Sequence, residues 1–462
     1  MCCPDGLGCN VSITECATFS SWCPTHADSA ALLGAVGPCF GKAENARPPG
    51  DGMWNDEWME GPFGLDAVKG QTFPTQRTVL VAVHSITAAT RLSDVWPLLV
   101  SDHRIQLVFT RPPGALMATG TDRFLERLGG AIAPWKQAVQ VRFDLAIAAS
   151  YGQLERLHAP VLALSHGIGF SKLAVRYEGF GNEAPLEVAG MEHVGLVFHG
   201  RVIPSAIVLP TARDREILAN DLPEAARAAV VGGDPCYDRL GASLHLREVY
   251  RRTLGVQDRK LVVVTSTWGA GSLLETHPDI MSQLARQLSA TDYRLAAIVH
   301  PNAWAWHGSL QVRAWCAEAT RHGLILVDPD DGWRAVLAAA DCLIGDQGSV
   351  TAYGAAIGVP VLFGSSPTGH VMPGSPIARL AEMAPCLKPG PLAAQVDAVM
   401  SSWPRECGAV MRGCLTDVPG QSARILRRVM YQLMDLSEPG EVPSTPPVPG
   451  PRTIGLYRGE AA

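Results

Sequence analysis

From residue 77 onward the chain repeats one pattern: a short apolar, β-branched run, a turn, then a helical stretch. Residues 78–84 (TVLVAVH), 105–109, 144–148, 161–165, 193–198 and 206–209 read as strands. These runs are short and continuously apolar, as strands covered on both faces must be. Residues 121–128 and 213–220 read as helices, and 230–240 (VVGGDPCYDRL) carries the Gly, Asp and Pro of a linker or turn. A second series follows. Its strands are 260–265, 294–299, 324–327, 341–345 and 360–363. Its helices are 244–254, 280–288, 332–339, 349–357, 392–401 and 421–436, with a long amphipathic stretch at 304–321. Strands alternating with helices specify a parallel sheet covered on both faces. The chain is therefore expected to be α/β, with two doubly wound, Rossmann-like domains facing across a cleft, residues 77–240 and 241–436.

The flanks lack this pattern. Six of the twelve cysteines (Cys2, Cys3, Cys9, Cys16, Cys23 and Cys39) lie in the first 39 residues, without the C-x2-C pairing of a zinc module. Residues 1–76 are expected to be a poorly ordered extension, with Met53 and Met59 as alternative starts. Residues 437–462 hold six prolines and little apolar periodicity, which predicts a flexible tail. The other six cysteines are scattered singly and read as small buried residues of a reducing, cytoplasmic setting. No stretch of about 18 apolar residues predicts a membrane span, and no secretory leader is evident. A net charge of −6 without any Lys/Arg run gives nucleic acid no electrostatic footing.

In open α/β sheets, ligands gather beyond the carboxyl ends of the strands. Three such ends carry chemistry. His166, in Ser165-His166-Gly167-Ile168-Gly169, follows the strand at 161–165, where an imidazole titrates near neutrality and glycines let a ligand approach the backbone. The other reading is a turn histidine bonded to a nearby carbonyl. His300, in Val299-His300-Pro301-Asn302, ends the strand at 294–299; its ring can bond a phosphate, or it is a strand-end residue beside a capping Asn302. Gly345-Asp346-Gln347-Gly348-Ser349-Val350 opens a helix, and free N–H groups there suit a diphosphate, although Asp and Ser also simply cap helices. Lys172 can reach a phosphate but reads by default as exposed. Trp304, Trp306 and His307 either line the cleft or pack on a helix, and His370 reads as incidental.

Five blocks carry a resemblance: HGIGFSK (166–172), GDPCYDRL (233–240), TSTWGAGS (265–272), VHPN (299–302) and DCLIGDQGSVTAYGAAIGVPVLF (341–363). In order and spacing they resemble the CDP-glycerol glycerophosphotransferases of teichoic-acid synthesis, over residues 77–436. Those enzymes have the GT-B architecture, shared more distantly with UDP-N-acetylglucosamine 2-epimerases. The resemblance implies a metal-independent transferase that needs no cofactor. It would move a glycerophosphate or glycosyl group from a nucleotide-activated alcohol or sugar to a hydroxyl acceptor. His166 matches the base toward that acceptor, and His300 the histidine at the donor phosphates. Thr267, Trp268, Asn302, Asp346, Gln347, Gly348, Ser349 and Val350 fall in the donor-binding blocks.

The sequence also departs from the family. Ile168-Gly169 stands where it has Thr-Pro, and Gly269 where it has Arg. Gln347-Gly348 replaces Tyr-Ser, and residues 350–357 lack the acidic residue that grips a ribose, with Tyr353 in that region. The departures leave open a non-catalytic relative that binds nucleotide or a protein partner, and His300-Pro301-Asn302 with the shared fold leaves open a nucleotide-sugar epimerase, which the missing acid disfavours.

Overall fold

Every second side chain of a buried strand enters a different core, and the computed structural model shows this in both series. It describes residues 58–114, 119–175, 186–188, 193–364, 366–367 and 370–454, so the N-terminal cysteine cluster lies outside the described residues. Residues Gly52–Ala462 form one compact unit.

The first sheet contains β1 (Arg77–Ala82), β2 (Ile105–Thr110), β3 (Ala131–Ile132), β4 (Leu145–Ala148), β5 (Val161–Leu164), β6 (Ala206–Leu209) and β7 (Ala229–Val231). All are parallel, in the order β7-β6-β5-β4-β1-β2-β3. Val79 and Val81 enter one core, Leu80 and Ala82 the opposite one. The second sheet contains β8 (Lys260–Ser266), β9 (Tyr293–Val299), β10 (Ile325–Val327), β11 (Cys342–Gly345) and β12 (Val361–Phe363), with β13 (Thr453–Ile454) at its edge. Its order is β12-β11-β8-β9-β10-β13, parallel except for the antiparallel β13. Both sheets reverse strand order once, between β1 and β4 and between β8 and β11, and a ligand crevice opens at such a point.

Eight helices matter for the site: α1 (Ile86–Leu92), α2 (Pro235–Ser243), α3 (Ile280–Gln287), α4 (Pro301–His307), α5 (Ser309–Trp315), α6 (Trp333–Ala339), α7 (Ser349–Ala356) and α8 (Ser422–Leu433). Although α8 follows the second series, its Leu426, Met430 and Tyr431 pack in the core of the first sheet. The Tyr431 hydroxyl donates to Asp102 at 2.7 Å.

Four local expectations are corrected. Residues 193–196 are a short helix, and only Val197–Phe198 is strand. The expected linker at 230–240 is the end of β7 followed by α2, where Pro235 opens the helix and Asp234 caps it through the Cys236 and Tyr237 N–H groups. Ordered packing begins before residue 77, because Phe63 is buried beside Trp135 and Phe143. Proline content also misleads at the other end. Val448 is buried, its carbonyl accepts from the Tyr250 hydroxyl, and Ile454 pairs with Leu326 of β10. Prolines forbid a helix there but not an extended strap held by side chains.

Candidate active site

β5 ends at Leu164, and two residues later His166 lies beside the end of β4, its Nδ1 3.3 Å from the Ala149 carbonyl oxygen. A carbonyl only accepts, so Nδ1 carries the proton and Nε2 keeps its lone pair. The ring is open to solvent yet walled by protein. Desolvation lowers its pKa below 6.5, and the charges of Arg91 and Lys172 and the His84 ring lower it further. His166 is thus neutral at pH 7, with Nε2 in the form that accepts a proton. Gly169 has φ +70°, and a Cβ there would meet Pro210 at 3.0 Å and Asp214 at 3.1 Å, so the turn admits only glycine.

β9 ends at Val299, and the next residue, His300, caps α4 by accepting the Asn302 N–H at Nδ1, 3.1 Å. Its remaining proton therefore sits on Nε2. Burial, with Lys172 and His166 nearby, holds the pKa down at about 3. That makes His300 a neutral hydrogen-bond donor rather than an acid or base.

The third corner is the start of α7. Gly348 is its N-cap and no side chain caps it, so the first N–H groups of the helix, at Ser349 and Val350, are available to an anion. Asp346 does not face a ligand. It is 1% exposed, and its carboxylate accepts from the N–H groups of Thr267 (2.8 Å), Leu273 (2.7 Å) and Gly348 (2.9 Å). It clasps the turn after β8 to the turn after β11, across the strand-order reversal. Gln347 is also buried.

One cavity collects these corners. His166, His300, Thr267, Gly348, Ser349 and Val350 all line it, with Arg91 and Tyr353. Trp268 and Asn302 instead line an adjoining groove, although the Trp268 ring lies 6.3 Å from that of His300. Trp304 packs inward and donates to the Val299 carbonyl at 3.1 Å. His370 is exposed.

Sequence reasoning missed the supports behind the cavity. Arg91, on the buried face of α1, donates to Asp234 (2.7 Å), to the Gly167 carbonyl (2.6 Å) and to the Tyr353 hydroxyl (2.6 Å). Tyr353 in turn donates to Asp234 at 2.6 Å, its own pKa raised well above 10 by burial despite Arg91. Tyr353 thus occupies the helix position expected to carry an acid, and joins an ion pair. Nearby, Arg334 and Arg239 both bond Asp94. His84, after β1, donates from Nε2 to the Gly152 carbonyl at 2.7 Å. The available signal was a lone charged residue, Arg91, in the otherwise uncharged helix ITAATRL. Among the described residues no group of three or more His, Cys, Asp or Glu could hold a metal ion, and no helix is long and apolar enough to cross a membrane.

Solved structures of the wall teichoic acid polymerase TagF are similar to this chain in overall fold. Two soaked with CDPG, both histidine-to-asparagine variants, superpose with TM-scores of 0.55 and 0.54 at 12% identity, covering 78% of this chain and 89% of theirs. The chain has the GT-B fold. A TagF structure without a stated substitution superposes at a TM-score of 0.51 and 11% identity, over the same shares of the two chains. No family model matches the sequence, and no curated protein does. In GT-B terms, the cavity lies where the carboxyl ends of both sheets meet.

Proposed function

We propose that the chain is a metal-independent transferase, moving a glycerophosphate or glycosyl group from a nucleotide-diphospho donor to a hydroxyl acceptor. One observation carries this reading: a neutral imidazole with a free Nε2 shares a cavity with a neutral imidazole donor and an uncapped helix start. His166 Nε2 takes the acceptor proton as the acceptor oxygen forms its bond to the donor's phosphorus or anomeric carbon. The bond from that atom to the nucleotide phosphate oxygen breaks, and the electron pair leaves with the nucleotide. Charge growing on that oxygen meets the Ser349 and Val350 N–H groups and the His300 Nε2–H. Lys172, close enough to Asp346, His166 and His300 to interact electrostatically with all three, supplies the cation that Gly269 withholds.

An epimerase needs acids that remove and return a proton, and among the described residues Asp328 is the one carboxylate lining the cavity. A transferase is therefore the better fit. The six cysteines among the described residues are unpaired, four of them buried, which suits a reducing cytoplasm. Calorimetric titration with CDP-glycerol and with UDP-, GDP- and dTDP-sugars tests the reading. Binding of one donor, followed by its consumption with a hydroxyl acceptor, is expected; silence across the panel from folded protein rules it out.

A further inference from the structure

Beside the cavity, on the opposite face of the second sheet, lies a groove of about 690 Å³ that the chemistry above does not use. The two spaces share Thr267 and Val299 as lining residues. The floor is apolar: Met281 on α3, Val312 on α5 and Cys316 are each buried. The rim is aromatic, with Trp306 68% exposed, Trp315 55% and Trp268 40%. Large indole rings left in water at the edge of an apolar trough are costly for a surface that binds nothing. Among the described residues the groove is lined by the carboxylates Glu275 and Asp279 and by His307, and by no Lys or Arg. Fatty acids and anionic headgroups are therefore repelled. An occupant without negative charge and apolar along its length fits this lining, with one end at the shared Thr267.

We propose that the groove holds the hydrocarbon part of an uncharged, hydroxyl-bearing amphiphile, the acceptor of the reaction. That the amphiphile is the acceptor rests on the transferase reading, while the groove's preference for an uncharged chain does not. The hydroxyl end lies over the shared Thr267–Val299 edge, and the chain runs away from the nucleotide between α3 and α5.

The full chain is tested with N-phenyl-1-naphthylamine, an uncharged apolar fluorophore, displaced by n-alkyl glucosides of six to ten carbons below their micelle concentrations. Each added methylene is expected to tighten binding about fourfold. An alkyl sulfate of equal length should bind about tenfold more weakly, because of the two carboxylates. Trp306→Ala with Trp315→Ala should weaken every glucoside about tenfold while nucleotide binding stays unchanged. Ala303→Phe, which fills the groove from α4, should do the same without removing a wall. Affinity independent of chain length, or unaltered in both variants, overturns the groove assignment even if a donor binds. Normal chain-length dependence in a protein that binds no nucleotide overturns the acceptor assignment and the transferase reading, and leaves the groove's ligand class standing.

Discussion

Two sets of polar side chains meet in the same cleft and are treated in opposite ways. Arg91, Asp234 and Tyr353 are buried and spend their hydrogen-bonding capacity on one another and on the backbone. His166, His300 and the start of α7 each use one side for support and leave one lone pair or N–H for something else. A fully paired set holds the halves in register, and a half-paired set is equipped to act on a ligand. The largest expected effect comes from the second set. His166→Ala should cut turnover of the donor identified by titration by roughly 10²–10⁴-fold, the range for losing a general base. Donor affinity and melting temperature should stay near wild type. A variant that turns over normally would move the base elsewhere.

The paired set should fail differently. Asp234→Ala leaves Arg91 buried without its carboxylate and removes the cap of α2, so a loss of about 3–5 kcal/mol is expected in denaturant unfolding. Replacing both partners, Arg91→Met with Asp234→Leu, should recover much of this, because the cost lies in the orphaned charge. If the double variant is no more stable than the single, Asp234 matters chiefly as a helix cap. Asp346→Ala sits between the two sets. It strips a partner from two buried N–H groups and a half-buried one, costing about 2 kcal/mol, and it loosens the turn carrying Thr267, so nucleotide binding should weaken as well.

The alternation of strand and helix was legible in the sequence because burial on both faces writes itself into short continuous apolar runs. The three corners were legible for a related reason, since a strand's carboxyl end is visible from its turn residues. What escaped was pairing over distance. Arg91 and Asp234 are 143 residues apart, and nothing local to either names the other. Asp346 shows the limit from the opposite side. As a residue type before a helix it reads as a cap or ligand, and only the fold reveals that the turn after β8 supplies two of its donors. The C-terminal strap escaped because its order comes from Tyr250, Ser243 and Arg427, which hold it at Val448, Glu438 and Glu441. Its own composition carries no trace of them.

The effect that is smallest at pH 7.5 separates the two histidines from the ion pair most cleanly, because only histidines have an unfolded-state pKa near neutrality. With a folded pKa of about 3 against an ordinary 6.5, His300 refuses a proton that the unfolded chain accepts. Below pH 6.5 the unfolded state binds more protons, so stability falls as the pH drops and levels off near pH 3. The slope approaches about 1.4 kcal/mol per pH unit, and His166 adds to it in the same direction. In His300→Asn the amide oxygen can still accept the Asn302 N–H and cap α4, so stability at pH 7.5 should change little. The acid slope measured by urea unfolding between pH 6.5 and 4.5 should become shallower. An unchanged slope would mean that His300 is protonated in the folded protein. It would then face the donor as a cation, and the neutral-donor role assigned to it here would be wrong.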